Sequence, residues 1–89
     1  SAKFPCSGEI NFKVADTQAT VQKIFDNYTD QNPQVDRTDG VSLDFGNWRL
    51  NVRASNTEPL LRLNIESRAD KNPQLMQSYV DELTALIQG

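Results

Sequence analysis

The sequence predicts an α+β domain: an antiparallel sheet of about four strands with two amphipathic helices packed on one of its faces. Three observations predict it. Short segments in the first two thirds of the chain alternate apolar and polar residues at period two, the pattern of half-buried strands. Two longer segments, one early and one at the C-terminus, place apolar residues at i, i+3, i+4 and i+7, the pattern of amphipathic helices. The central strands are joined by dipeptides suited to hairpins, which makes the sheet antiparallel.

Taken in order, residues 1–8 read as a linker, because they hold Pro5, Ser7 and Gly8 and show no periodicity. Residues 9–89 form the domain. Residues 9–14 are a strand with Ile10, Phe12 and Val14 on one face. Asp16 is the N-cap of a helix that runs to about Asp30, with Val21, Ile24, Phe25 and Tyr28 on its apolar stripe. Asn32-Pro33 ends it. Asp39-Gly40 signals a type I′ hairpin, and Gly46-Asn47 fits a two-residue type II′ turn. That second turn pairs Phe45 with Trp48, Leu43 with Leu50 and Val41 with Val52 on one face. On the other face it pairs Asp44 with Arg49 and Ser42 with Asn51. Turn chemistry and alternation therefore agree. The same arithmetic across Asp39-Gly40 sets Asp36 opposite Leu43, unless a bulge or a different turn intervenes. Residues 60–66 are the next strand, with Leu61, Leu63 and Ile65 inward. Asn72-Pro73 is an N-cap followed by Pro at the first helical position. From there Leu75, Met76, Tyr79, Val80, Leu83, Leu86 and Ile87 make one stripe, with Gly89 as end cap.

Composition excludes several classes. With 89 residues, the chain is one small domain, and Ser1 is expected to be the end of a piece of something longer. No run approaches the roughly 20 apolar residues of a membrane span. Ser1-Ala2-Lys3-Phe4-Pro5 lacks the apolar region of a signal peptide. The single Cys6 forms no internal disulfide, which fits a reducing compartment, so a cytoplasmic location is expected. There is no His, and a structural zinc site is nearly excluded. A net charge of −3 argues against nucleic acid. The basic residues are nonetheless uneven: Arg49, Arg53, Arg62 and Arg68 fall within twenty residues, which suggests a small anion site.

The chemistry concentrates in Arg53-Ala54-Ser55-Asn56-Thr57-Glu58-Pro59, with Arg62 beyond. Ser, Asn and Thr supply two hydroxyls and an amide in a turn between strands. Arginine supplies a planar fork suited to phosphate oxygens. Apolar matching of the flanking strands sets Ala54 opposite Leu61, Val52 opposite Leu63 and Leu50 opposite Ile65. Arg53 then lies opposite Arg62, an unfavourable like-charge pair that a bound anion would reverse. The same register sets Arg49 against Glu66 with Asp44 beyond, which reads as a structural charge partner. The bland alternative stands beside this: a Ser-Asn-Thr turn satisfies its own backbone, and a strand arginine is a solvated side chain.

The Arg53-Ala-Ser-Asn-Thr-Glu-Pro run followed by Leu60-Leu61-Arg62 resembles the phosphate-binding loop of the α-D-phosphohexomutases. Gly8-Glu9-Ile10-Asn11-Phe12 resembles the start of that family's C-terminal domain, and Val35-Asp36-Arg37-Thr38-Asp39-Gly40-Val41 its central hairpin. Trp48 ahead of the loop also fits. The Ser-Asn-Thr form is more similar to the phosphomannomutase/phosphoglucomutase branch. The resemblance implies a four-domain cytoplasmic enzyme that moves a phosphoryl group between the 1- and 6-positions of a hexose, using a phosphoserine and Mg²⁺. It implies a last domain similar to the TATA-binding-protein fold, whose loop grips the phosphate not being transferred. On that match Arg53, Ser55, Asn56 and Thr57 make the grip, with Arg62 beside them. The partners implied are a hexose phosphate, such as mannose 1-phosphate or mannose 6-phosphate, and the upstream domains of the same enzyme.

The phosphoserine loop, the Asp-Gly-Asp-Gly-Asp metal loop and the Gly-Glu-x-Ser-Gly sugar loop are missing from this sequence, so the chain alone is expected to be inactive, with no catalytic residue and no metal of its own. The alternative is a stand-alone interaction module that binds a protein or nucleic acid through its polar sheet face. Trp48 reads as a packing partner of Phe45 rather than a sugar platform. Asp36, Asp39 and Asp44 read as turn-forming residues rather than metal ligands.

Overall fold

The computed structural model describes residues 4–68 and 71–89; the first three residues of the expected linker lie outside them. The order is β1 (Ile10–Lys13), α1 (Thr17–Tyr28), a 3-10 turn (Thr29–Gln31), β2 (Gln34–Asp36), β3 (Val41–Asp44), β4 (Trp48–Ala54), β5 (Leu60–Ser67) and α2 (Pro73–Gln88). The five strands form one antiparallel sheet in the order β1-β5-β4-β3-β2. Both helices pack on its apolar face, as the alternation requires. The polar residues of the central strands line the opposite face.

The helices start where their caps say. The Asp16 carboxylate accepts the Ala19 N–H at 3.0 Å, and the Asn72 side chain accepts the Gln74 N–H at 2.9 Å. Helix α1 ends through the 3-10 turn at Asn32, which takes the left-handed conformation (φ 56°) before Pro33. No helix among the described residues is long and apolar enough to cross a membrane.

The β3–β4 hairpin has the predicted register throughout, including Val41 with Val52, Leu43 with Leu50 and Asp44 with Arg49. Gly46 holds φ +91° in its turn, and the Phe45 N–H donates to the Trp48 carbonyl at 2.9 Å. The β4–β5 register is likewise as predicted, from Ala54 with Leu61 to Arg49 with Glu66.

The turn before β3 differs. A type I′ turn needs positive φ at both central residues, and of Asp39 and Gly40 only Gly40 has it (φ +68°). The strands are joined instead by a loop of residues 37–40, in which the Asp36 carboxylate accepts the Thr38 N–H at 2.8 Å. The register shifts by one, so Val35 rather than Asp36 stands opposite Leu43. This keeps apolar with apolar, since a one-residue slip exchanges the faces of a strand.

The core centres on Leu43, Leu50, Leu61, Leu63, Ile65 and Leu83, all fully buried. An aromatic group closes one end. Trp48 stacks on Phe45 (ring centroids 4.6 Å apart) and on Tyr79 of α2 (4.1 Å), and Tyr28 of α1 meets Trp48 edge-on at 5.7 Å. The buried Tyr28 hydroxyl donates to the Glu82 carboxylate, joining the two helices. Burial first, and then Glu82, push the phenol upward, so it stays protonated.

Residues 5–7 do not hang free. The Ser7 N–H donates to the Ile65 carbonyl (2.8 Å), the Ile65 N–H to Ser7 Oγ (2.9 Å), and the Ser67 N–H to the Pro5 carbonyl (3.0 Å). The segment thus runs beside the far half of β5, beyond the kink at Gly8 (φ +73°).

Candidate functional site

The site is a cleft of about 630 Å³ at one end of the polar face. It is lined by Arg53, Ala54, Ser55, Asn56, Thr57 and Arg62, with Asp39 and Gly40 from the loop before β3. All five residues singled out from the sequence are therefore brought together. Strand pairing positions the arginines: Arg53 on β4 is directly opposite Arg62 on β5. The connecting loop, residues 55–59, is closed by the Ser55 N–H on the Leu60 carbonyl at 2.9 Å. The Thr57 N–H reaches Ser55 Oγ at 3.4 Å. The Pro59 carbonyl accepts from the Val14 N–H at 3.0 Å, which ties the loop's exit to the chain just after β1.

The electrostatics are unbalanced. Two guanidinium groups and one carboxylate line this cleft, where Arg53 Nη1 meets Asp39 Oδ2 at 3.3 Å, and Glu9 joins both arginines around the adjoining depression of about 210 Å³. Among the described residues, Arg62 Nε is buried and has no hydrogen-bond partner. The facing guanidiniums beside two hydroxyls and an amide give the cleft donors suited to an anion, and the buried Nε adds the cost of an unsatisfied donor. Gly40 allows the loop to come this close. A Cβ there would strike the Val52 carbonyl and crowd Arg53.

Arg49 departs from expectation. It stands opposite both Asp44 and Glu66, yet among the described residues it pairs with neither, and its Nη2 donates to Ser42 Oγ at 3.2 Å. Arg68 takes both carboxylates. Its Nη1 reaches the two Asp44 oxygens at 3.1 and 3.0 Å, and its Nε reaches Glu66 at 3.1 Å. Arg68 spans the two carboxylates with different nitrogens, and its N–H, donating to the Asn47 carbonyl at 2.8 Å, holds the residue in reach. Arg49 instead helps line a second depression of about 420 Å³ near the middle of the polar face.

Two of the three carboxylates read as turn formers, Asp36 and Asp44, behave so. The Gly46 N–H, then Arg68, hold the Asp44 carboxyl below the usual carboxylate range, and Thr38 does the same for Asp36. A lowered folded-state value means that the stability each contributes is present above the unfolded-state value of about 3.9 and is lost as pH falls through the lower folded-state value. Urea midpoints measured against pH are expected to fall below about pH 4. Asp44→Asn is expected to start lower at neutral pH and fall less. Among the described residues no group of three His, Cys, Asp or Glu side chains could hold a metal ion. Among the described residues the donor set does not fit magnesium.

Sequence reasoning gave no functional weight to Asp39 or Asn51. Asn51 Nδ2 donates to the Asp39 carbonyl at 2.8 Å and to Ser42 Oγ at 2.9 Å, fixing the loop over the site. The Asp39-Gly40 dipeptide marked a turn, but nothing in it marked where the carboxylate would point.

The geometry agrees with what comparison finds. The family model for the phosphoglucomutase/phosphomannomutase C-terminal domain matches residues 9–84. The chain belongs to that family. It is 55% identical over 87 residues to a protein named "Phosphohexose mutases" from Xanthomonas campestris pv. campestris (strain B100), an alignment covering 98% of this chain and 19% of the relative. It is 50% identical over 84 residues to a phosphomannomutase of Vibrio cholerae serotype O1, covering 94% and 18%. A phosphomannomutase of Methanocaldococcus jannaschii is 42% identical over 86 residues, covering 97% and 18%. The chain spans about a fifth of the length of these curated relatives.

Proposed function

We propose that this chain is the C-terminal, phosphate-binding domain of a cytoplasmic phosphomannomutase/phosphoglucomutase. On this reading Arg53, Ser55, Asn56, Thr57 and Arg62 hold the non-transferred phosphate of a hexose phosphate, such as mannose 1-phosphate or mannose 6-phosphate, during 1,6-phosphoryl transfer. The upstream domains supply the phosphoserine, the sugar contacts and the magnesium ion, and this domain alone has no mutase activity. The observation that carries the reading is the facing pair Arg53 and Arg62 in the cleft that the Ser55-Asn56-Thr57 loop also lines. A phosphate dianion between them converts repulsion into charge-assisted hydrogen bonds, each worth about 1.5–3 kcal/mol. The loop hydroxyls and the Asn56 amide complete a shell around the remaining oxygens. By fixing one end of the sugar phosphate, the domain contributes positioning and charge neutralisation, on which the catalysis of phosphoryl transfer chiefly rests. Nothing in the site favours the alternative of a stand-alone interaction module.

The test is an NMR titration of the labelled chain with mannose 1-phosphate, with plain mannose as control. Saturable shifts at residues 53–62 are expected, with a dissociation constant near millimolar, about −4 kcal/mol. Arg53→Ala should weaken binding about tenfold or more. Equal shifts with mannose, or an unchanged affinity in Arg53→Ala, would overturn the reading.

A further inference from the structure

Asp39 meets Arg53 through a single contact at 3.3 Å, long for a charge-assisted hydrogen bond, and both side chains are substantially exposed (71% and 41%). Such a pair is weak. Its placement is nevertheless fixed by the backbone. The Asp39 carbonyl is tied to Asn51, Thr38 is tied to Asp36, and Gly40 presses on β4 beside Arg53. The loop therefore has little freedom, and only rotation of the Asp39 side chain can take its carboxylate away from the cleft. An incoming phosphate meets a negative charge already on one of its two arginines.

We propose that Asp39 is a built-in competitor for Arg53 that sets the affinity of the phosphate site. This rests on the phosphate-binding reading above and adds a residue to it. Phosphate either displaces the carboxylate from Arg53 or binds beside it against like-charge repulsion, and both routes weaken binding. The same carboxylate returns to Arg53 when phosphate leaves, so release does not expose two facing guanidiniums with no anion between them. Asp39 thereby favours a grip that opens as well as closes. It is a positioning and affinity-setting residue, not a catalytic one.

The experiment titrates inorganic phosphate and mannose 1-phosphate into the labelled chain, its Asp39→Asn and Asp39→Ala variants, Arg53→Ala, and the Arg53→Ala/Asp39→Asn double variant. A thermal melt of each confirms that it is folded. Both Asp39 variants are expected to bind about three- to tenfold tighter, the span between an exposed ion pair and that pair plus relieved repulsion. The gain should vanish in the double variant, because it acts through Arg53. In the parent chain phosphate should also shift the Asp39 side-chain carboxyl carbon. Unchanged or weaker binding in both Asp39 variants, with Arg53→Ala still damaging, overturns the competitor and leaves the phosphate site standing. Weaker binding would make Asp39 a brace for Arg53. No saturable phosphate shift in the parent chain or in either Asp39 variant overturns the competitor and the phosphate site together.

Discussion

Arg62→Met is expected to weaken mannose 1-phosphate binding about tenfold to a hundredfold, the worth of one or more charge-assisted hydrogen bonds, while making the protein more heat-resistant. The two effects have one cause. Arg62 faces Arg53 across the strand pair and leaves a buried Nε without a partner among the described residues. Removing it ends a like-charge pair worth about 0.2–1 kcal/mol and an unsatisfied donor worth about 1–3 kcal/mol, offset by lost contacts of the arginine stem. A net gain near 1 kcal/mol would raise the melting midpoint by about 4–8 °C in a domain of this size. Calorimetry on Arg62→Met and Arg62→Lys, paired with phosphate titrations, checks both halves. Arg62→Lys puts a methylene where Nε stood, so it should keep part of the stability gain, retain most of the repulsion and, without the fork, bind poorly. A fall in melting midpoint with binding intact would make Arg62 a structural residue.

The second large effect lies in the core. Trp48→Ala should cost about 3–5 kcal/mol, because the indole is stacked on both faces, by Phe45 from its own hairpin and Tyr79 from α2, with Tyr28 at its edge. A domain of 89 residues has a total stability of roughly 5–13 kcal/mol, so the variant should be partly unfolded at 37 °C. Urea midpoints and the dispersion of amide resonances would show it, with Trp48→Phe retaining most of the loss. Only 6% of Trp48 is exposed. A Trp48→Ala protein as stable as its parent would mean that the ring sits elsewhere.

What could be read from the sequence divides along physical lines. The β3–β4 hairpin was legible because Gly46-Asn47 fixes its register and the alternation on both strands confirms it. The Arg53–Arg62 juxtaposition followed from matching apolar faces, and the Arg-x-Ser-Asn-Thr run pointed to the residues that line the cleft. Strand β2 was hard to read because it has three residues at the sheet edge, all exposed, and because Asp-Gly suits more turns than type I′. The Arg68–Asp44 pair was invisible for another reason. It runs diagonally between residues 24 apart, on strands that are not neighbours in the sheet, and no spacing rule reports that. Asp39 escaped because side-chain direction in a loop depends on what the loop packs against, here Asn51 and Arg53.

The hydrogen bonds of Pro5 and Ser7 to β5 have a mechanical consequence. Both sides of the Gly8 kink are fastened to this one strand, by residues 5–7 at its far half and β1 at its near half. Residues 5–13 must then travel with the sheet, and Gly8 is no pivot. The strand that receives the incoming chain at Ser67 also carries Arg62, about 16 Å away at the usual rise per residue. On the proposed reading, the domain would act as a lever with its fulcrum where residues 5–7 join β5. A swing of about 10° there would carry the backbone at Arg62 through about 3 Å at that arm length, enough on that reading to part a donor from a phosphate oxygen.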